Sequence, residues 1–444
     1  MSDERRDDMH DDIRESTRGA ASTVPLPETI ERGLGNLRVA ARTLRQLEAS
    51  AKNRALEAVA KGVDANAALI LSANADDLAR LAPDTTPAFR DRLLLDPRRI
   101  AHMTESLRQV AALPDPVGEI VENKRLANGL EARRVRAPLG VIFMIFESRP
   151  NVILEAFSLA FKSGNAIALR GGSDSRSTAT VIYRLMREAL TASGIDAGAF
   201  YGFDDYDRKA VEAVLRRTDL IDIAVPRGGD KLIELVTRTA LMPIIKNDRG
   251  LCHAYVAADA DLEMSVKVVA NAKTQRPGVC NSLETVLIDE KIAPKLLPKL
   301  FDACAGVGLK WKCDDRSFAL LSARGPTVER ASAADWDTEH LAQILNCRIV
   351  SGLDEALAHI DRHGSRHSET ILTRDEEMAR HFQAEVDAAA VYWNASTRFT
   401  DGFALGLGGE LGISTQKLHV RGPVGLKELT TPRWVIDGTG QIRE

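Results

Sequence analysis

The sequence predicts an α/β protein made of two doubly wound α/β domains and a small β oligomerisation unit. The chain has 444 residues, beyond the ~250–300 at which single cores usually divide. From residue 140 onward, apolar strands, glycine turns and helical stretches alternate, which is the βαβ signature of parallel sheets covered by helices. The last stretch differs: a glycine-rich segment from Gly402 to Gly412 leads to a short strand outside both series.

Composition narrows the classes. Hydrophobic residues make up 44% and charged residues 27%, a globular balance. The formal net charge of −4 leaves no electrostatic footprint for nucleic acid. No apolar run approaches the ~18 residues of a membrane span, and the longest, Val141 to Phe146, has strand length. The N-terminus lacks the apolar core of a secretory signal, and its polar, mixed charge predicts a disordered tail over 1–25. The five cysteines form no C-x-x-C pair, which argues against zinc. Their odd number and a large core argue against a disulfide framework. A reducing cytoplasm fits this usage.

The elements follow in order. From Pro27 to Leu113 the chain reads as helical. Leu37, Ala40, Ala41, Leu44 and Leu47 repeat at helical spacing, as do Ile100, Met103, Leu107 and Val110 after an Asp96-Pro97 start. Leu130 to Arg136 alternates and reads as a half-solvated strand. Gly140 to Phe146 is continuously apolar, as a buried parallel strand requires. A helix follows Pro150 and ends near Gly164. The strand Ala166–Leu169 leads through Gly171-Gly172-Ser173 into a helix, and Ile221–Val225 leads through Arg227-Gly228-Gly229 into another. A second series has strands at Cys252–Val256, Thr285–Ile288, Arg348–Val350, Thr370–Thr373 and Ala390–Trp393, with a helix from Asp261 to Lys273. Trp434–Ile436 is a terminal strand, which the Leu130–Arg136 ribbon could accept as a partner. An exposed ribbon of this kind invites pairing with another subunit.

Two kinds of residue can carry chemistry. Arg170-Gly171-Gly172-Ser173 and Arg227-Gly228-Gly229 each lie between a strand and a helix. Glycine permits the tight turn, helix N-termini attract phosphate, and arginine offers phosphate a fork of donors. Neither matches G-x-G-x-x-G. Cys280, in Gln275-Arg-Pro-Gly-Val-Cys280-Asn, lies on a loop after a helix and a Pro-Gly turn. Arg276 and Lys273 are cations that could favour its thiolate. Cys252-His253 has the residue types of a nucleophile and base, but adjacent strand residues point to opposite faces.

Several blocks carry a resemblance. Val135-Arg-Ala-Pro-Leu-Gly-Val141, Glu147-Ser-Arg-Pro-Asn-Val152 and Lys162-Ser-Gly-Asn-Ala-Ile-Ala-Leu-Arg-Gly-Gly172 resemble the γ-glutamyl phosphate reductases of the aldehyde dehydrogenase superfamily. So do Val225-Pro-Arg-Gly-Gly229, Asn271-Ala-Lys-Thr-Gln-Arg-Pro277, Asn394-Ala-Ser-Thr-Arg-Phe-Thr-Asp-Gly402 and Ser414-Thr-Gln-Lys-Leu-His-Val-Arg-Gly-Pro423. The match runs from about residue 35 to the end.

The resemblance implies an aldehyde dehydrogenase-like fold. It implies an NADPH-binding domain over 26–122 and 140–246, a catalytic domain over 247–404, and an oligomerisation unit from 123–139 and 405–444. It implies reduction of L-glutamyl 5-phosphate to L-glutamate 5-semialdehyde and phosphate, the second step from glutamate to proline, with a functional link to glutamate 5-kinase. Cys280 falls on the family's nucleophile and would hold a thioester. Asn151 falls on its oxyanion asparagine, with the Cys280 N–H as the second donor. Arg170 falls where the superfamily contacts the adenosine ribose. Gly171, Gly172, Ser173, Arg227, Gly228 and Gly229 would line the remaining NADPH surface, and Glu339 would hold the nicotinamide ribose. For substrate, Arg149 or Arg398 would pair with the α-carboxylate. Glu147 or Asp401 would meet the α-ammonium, and Ser396 and Thr397 would add hydrogen bonds. Asn247 stands where aldehyde-oxidising members carry a water-activating glutamate. An amide cannot act as that base, which suits a reductase. No metal is expected, and a homodimer or higher homo-oligomer is.

Overall fold

The computed structural model describes residues 25–147, 149–246 and 249–443. The tail expected over 1–25 lies outside them except for its last residue. The chain divides into two compact units. One holds the residues through Lys246 with Leu407–Gly412 and everything from Val424 onward; the other holds Asn247–Gly406 with Ile413–Pro423. The segment 405–444, expected as part of one terminal unit, is therefore divided between them.

The first unit opens with helices α1 (Glu28–Leu44), α2 (Ala49–Ala65), α3 (Ala67–Ala79), α4 (Pro87–Leu93) and α5 (Pro97–Ala112). The apolar stripe of α1 is buried at Leu37, Ala40, Ala41 and Leu44. Asp96 caps α5 by accepting the Arg99 N–H at 2.7 Å, with Pro97 in the first turn where no N–H is needed. Then come β1 (Ile120–Arg125), β2 (Glu131–Pro138), β3 (Val141–Phe146), α6 (Asn151–Lys162), β4 (Ala166–Arg170), α7 (Arg176–Ala192), β5 (Phe200–Gly202), α8 (Arg208–Val214), β6 (Ile223–Arg227) and α9 (Asp230–Thr239). Strands β5-β4-β3-β6 form a parallel sheet in that order. Every residue of β3 is buried, as its uninterrupted apolar run requires. Gly164 turns the chain out of α6 at φ +78°, a conformation that glycine adopts without Cβ strain. The strand order reverses between β3 and β6. Ligands of doubly wound sheets bind outside the carboxyl ends of strands at such a switch point.

The second unit contains β7 (Cys252–Val256), α10 (Leu262–Thr274), β8 (Leu283–Asp289), α11 (Ala293–Ala303), β9 (Lys310–Cys313), α12 (Asp315–Leu321), β10 (Val328–Arg330), β11 (Ile344–Val350), α13 (Leu353–His363), β12 (Ser368–Leu372), α14 (Glu376–Glu385), β13 (Ala390–Trp393), β14 (Ile413–Ser414) and β15 (Gly422–Pro423). Seven of these strands form one parallel sheet in the order β10-β9-β11-β8-β7-β12-β13. All five strands expected in this series are present. Strands β9 and β10 were not expected, because they are short and rich in lysine and arginine. They join the sheet edge beside β11, where Trp311 packs into the core with Leu300 and Val286.

In the first unit, β16 (Thr430–Asp437) pairs antiparallel with β2, placing Trp434 opposite Arg134, and β1 completes a three-stranded ribbon. The expected pairing of the Leu130–Arg136 ribbon with the terminal strand is thus formed. Ile120, Trp434 and Ile436 are about half exposed on it, at 51%, 50% and 55%. Among the described residues, no helix is long and apolar enough to cross a membrane, and no group of three His, Cys, Asp or Glu could hold a metal ion.

Candidate active site

Cys280 lies in the turn between α10 and β8. The turn closes when the Ser282 N–H donates to the Val279 carbonyl at 3.0 Å. The flanks of Cys280 are tied down. The Asn281 amide donates to the Thr400 carbonyl at 2.7 Å, and the Thr397 hydroxyl donates to the Asn281 carbonyl at 2.8 Å. Below the turn, the Cys252 thiol lies 3.2 Å from the Cys280 carbonyl oxygen. Burial raises the Cys252 thiol well above its ordinary value, and Glu369 adds to the rise, so it stays protonated and donates. His253 points to the other face, as alternation requires, and its ring nitrogen lies 3.1 Å from Glu369.

The two cations expected beside the thiol differ in their commitments. Lys273 is fully buried and pairs with Glu284 at 3.0 Å, across from α10 to β8. Burial lowers Lys273 and raises Glu284. Lys273 therefore holds the scaffold of the turn. The cation coupled electrostatically to Cys280 is Arg398. Burial lowers the pKa of Arg398, Arg276 adds to that by like-charge repulsion, and Asp401 and Cys280 oppose it. The Arg398 Nε donates to the Gln275 side chain at 2.9 Å, which orients its guanidinium. Ser396 and Thr397 are buried, and their hydroxyls serve the backbone: Ser396 accepts the Arg398 N–H at 3.3 Å, while Thr397 holds Asn281. Glu339 accepts the Gly250 N–H at 2.8 Å. That glycine presses against Cys280, so Glu339 belongs to the surroundings of the turn. Asn247, expected where aldehyde-oxidising relatives carry the water-activating glutamate, lies outside the described residues.

The first unit gathers the other expected residues. Asn151 is exposed at the start of α6, and Arg149 precedes it, half-buried, after β3. Arg170 ends β4, donates to the Tyr206 carbonyl at 2.7 Å and stacks over the Tyr206 ring at 5.7 Å. Burial lowers its pKa. Gly171 lies against Phe146, where a Cβ would come to 3.0 Å, and Ser173 begins an exposed helical turn ahead of α7. Arg227 ends β6, but its guanidinium donates to the carbonyls of Glu410 (3.3 Å) and Leu411 (3.0 Å) and faces Glu155 at 3.8 Å. It holds the 407–412 segment on this unit. Gly228 and Gly229 open α9. There the Glu147 carboxylate accepts the Gly229 N–H at 3.1 Å and fills the space a Gly228 Cβ would need, 2.6 Å from Glu147 Cδ. An anion already sits at this helix N-terminus, as the helix dipole favours. Tyr206, Gly250 and Gln275 had no signal in the sequence pattern, because their partners Arg170, Glu339 and Arg398 lie far away in the chain.

The aldehyde dehydrogenase family model matches residues 28–320, and the chain belongs to that family. The curated γ-glutamyl phosphate reductase of Moorella thermoacetica is 48% identical over 408 residues, covering 92% of this chain and 97% of the relative. That of Neisseria meningitidis serogroup C is 45% identical over 93% of this chain and 99% of the relative. The crystal structure of γ-glutamyl phosphate reductase from Thermotoga maritima superposes with a TM-score of 0.89 at 40% identity, covering 93% of this chain and 99% of that one. Within the family, this chain is an oxidoreductase of the γ-glutamyl phosphate reductase group. An acetylating aldehyde dehydrogenase from Geobacillus thermoglucosidasius, 16% identical with a TM-score of 0.68, shares the fold.

Proposed function

We propose that the enzyme reduces L-glutamyl 5-phosphate to L-glutamate 5-semialdehyde and phosphate, with NADPH as reductant and a thioester on Cys280. The observation that carries this reading is the 48% identity to a γ-glutamyl phosphate reductase over 92% of the chain. The turn geometry supports the role of Cys280: its carbonyl and both flanks are anchored, and the Arg398 guanidinium is coupled to it electrostatically.

The Cys280 thiolate attacks the acyl carbon, the bond from that carbon to the phosphate oxygen breaks, and phosphate leaves. The positive charge of Arg398 favours the thiolate over the thiol. Charge that develops on the acyl oxygen needs donors aimed at it. The Cys280 N–H and the Asn151 amide fill that role in this reading. Arg149 or Arg398 pairs with the substrate α-carboxylate, and Glu147 or Asp401 with the α-ammonium.

The first unit fits a dinucleotide. Its sheet has the strand order of a nucleotide-binding half, two glycine turns follow β4 and β6 on either side of β3, and the buried Arg170 Nε has no hydrogen-bond partner among the described residues. Arg170, Gly171, Gly172, Ser173, Gly228 and Gly229 would hold the cofactor there, with Glu339 on the nicotinamide ribose. NADPH held there would supply the hydride that reduces the acyl carbon of the thioester. Cys280 then leaves as thiolate and the aldehyde is released. Arg227 is committed to the fold, so its part in cofactor binding is indirect.

All five cysteines are free, which suits a reducing cytoplasm. The half-exposed ribbon of β1, β2 and β16 is the surface for a second copy of the chain, and a monomer in sedimentation would refute that. The unstable acyl phosphate suits supply from a glutamate 5-kinase working nearby.

The reverse reaction tests the whole reading. Glutamate semialdehyde, phosphate and NADP+ should yield NADPH without coenzyme A, and Cys280→Ser should abolish it. A coenzyme A requirement would favour an acylating dehydrogenase instead. Retained activity in Cys280→Ser would overturn the thioester.

A further inference from the structure

Cys280 is gripped from below as well as from its flanks. Cys252 opens β7 and stands opposite Leu283 of β8, with a register irregularity between Cys252 and His253. This places its fully buried thiol directly under the nucleophile's turn, 3.2 Å from the Cys280 carbonyl oxygen. The same sulfur lies 3.7 Å from His367 Nδ1. From there a run of buried hydroxyls continues. His367 Nδ1 is 2.8 Å from the Ser368 hydroxyl, which is 2.7 Å from the Thr400 hydroxyl, which is 2.8 Å from the Tyr392 hydroxyl. Thr400 also accepts the Asn281 amide through its carbonyl at 2.7 Å. The contacts therefore close a circuit. It runs from the Cys280 carbonyl through Cys252, His367, Ser368 and Thr400 to the Asn281 side chain. Both residues of the 280–281 peptide are held by it.

We propose that Cys252 is a positioning residue for the nucleophile: its thiol fixes the Cys280 carbonyl and so sets the direction of the Cys280 side chain and N–H. The proposal rests on the reading of Cys280 as nucleophile. Its physical basis is geometric. An acyl-transfer site loses rate steeply when its reacting atom is misplaced, by up to ~10²-fold for about 1 Å. Removing the Cys252 donor loosens the Cys280 peptide, and rotation of that peptide moves the thiol on the same residue. Burial keeps Cys252 in its protonated, donating form, so it does not compete as a second nucleophile. His367 is held neutral, at about 4, by burial. The support therefore stays in one charge state across the working range of the enzyme.

The test compares Cys252→Ala, Cys252→Ser, Ser368→Ala and Cys280→Ser in the intact protein. Turnover is read in the reverse reaction. The rate at which iodoacetamide alkylates Cys280 is read across pH by peptide mass spectrometry. Cys252→Ala should lower kcat and the plateau alkylation rate by about tenfold or more, with KM for NADP+ within about twofold. Cys252→Ser keeps a donor at the same place and should restore most of both. Ser368→Ala breaks the circuit farther away and should give a smaller loss of kcat, again without a change in KM. A purely structural role would lower the melting temperature without separating Ala from Ser in kcat. Wild-type kcat in Cys252→Ala, or equal losses in Ala and Ser, would overturn the proposal. If Cys252→Ala does not fold, Cys252→Ser and Ser368→Ala decide: near-normal kcat in the first and a loss in the second support it, and the opposite pattern overturns it. An active Cys280→Ser would sink the nucleophile reading itself. An inactive Cys280→Ser beside a normal Cys252→Ala would sink only the positioning role.

Discussion

Gly250 presses directly on the main chain of Cys280. A Cβ placed on it would overlap the Cys280 carbonyl oxygen and come within 2.7 Å of the Cys280 Cα. Its N–H is meanwhile held by Glu339 at 2.8 Å. The glycine is there because no side chain fits between β7 and the turn, a close approach that only a residue without Cβ allows.

Gly250→Ala should therefore push the Cys280 turn outward. The expected result is a loss of kcat of about 100-fold or more, since the displacement needed is on the order of 1 Å. Steady-state turnover and the alkylation rate of Cys280 read it directly. Wild-type values in both would mean that the segment before β7 moves aside instead.

The buried pair of Lys273 and Glu284 should behave as a unit. Lys273→Met leaves Glu284 buried without its cation, and breaking such a pair costs about 3–5 kcal/mol. Lys273→Met combined with Glu284→Leu should recover most of that, because both desolvation penalties are removed. Urea unfolding of the single and double variants measures it. Equal stability of the two would show that the pair does not couple α10 to β8.

Acid stability should depend on His359. This residue is 4% exposed, and neither ring nitrogen has a hydrogen-bond partner among the described residues. It packs against the rings of His253, Trp336 and His363. Burial, with His253 and His363 adding to it, lowers it from 6.5 to about 2. A histidine whose folded value is depressed binds its proton more readily when unfolded. Its neutral form thus contributes stability above 6.5, and that contribution is lost as pH falls from 6.5 toward 2. Between pH 7 and pH 5 the loss is about 2 kcal/mol. Buried Glu369 shifts the other way, so the wild-type profile alone does not isolate this effect. His359→Phe does: its melting temperature relative to wild type should rise as pH falls from 7 to 5. A difference that stays flat with pH would refute the burial argument.

Glu147 should weaken cofactor binding. Its carboxylate lies on the Gly229 N–H at the start of α9, the kind of place where a cofactor phosphate is attracted. Glu147→Gln removes the competing charge and should tighten NADPH by about threefold, the size of a helix-terminus charge effect. Fluorescence titration of bound NADPH would read it. Unchanged or weaker affinity would place the cofactor phosphates elsewhere.

Much of the fold was legible because it is local. The apolar run from Val141 to Phe146 could only be a buried strand, and all six residues are buried. Asp96-Pro97 announced a helix start and caps one. Strands β9 and β10 were missed for the same physical reason: Lys310-Trp-Lys-Cys313 at a sheet edge carries too little apolar pattern to register alone. Among the site residues, Cys280 stands out in the sequence through its surrounding blocks as the expected nucleophile. The commitments of Arg227, Lys273 and Thr397 were not legible. Each of these side chains has the right chemistry for a ligand, yet Arg227 meets Leu411, Lys273 meets Glu284 and Thr397 meets Asn281.

The sequence by itself determined the alternation of strands and helices and the family, and it singled out Cys280 as the candidate nucleophile, because periodicity and motif blocks are written in consecutive residues. The tertiary structure alone decided what surrounds Cys280. Gly250, Cys252, His367 and Thr400 come to the Cys280 turn from β7, the start of β12 and the loop after β13. They meet only because parallel strands β8, β7 and β12 lie side by side. Hydrogen bonds and close packing act over a few ångströms, and only the folded sheet brings residues so distant in the chain within that range.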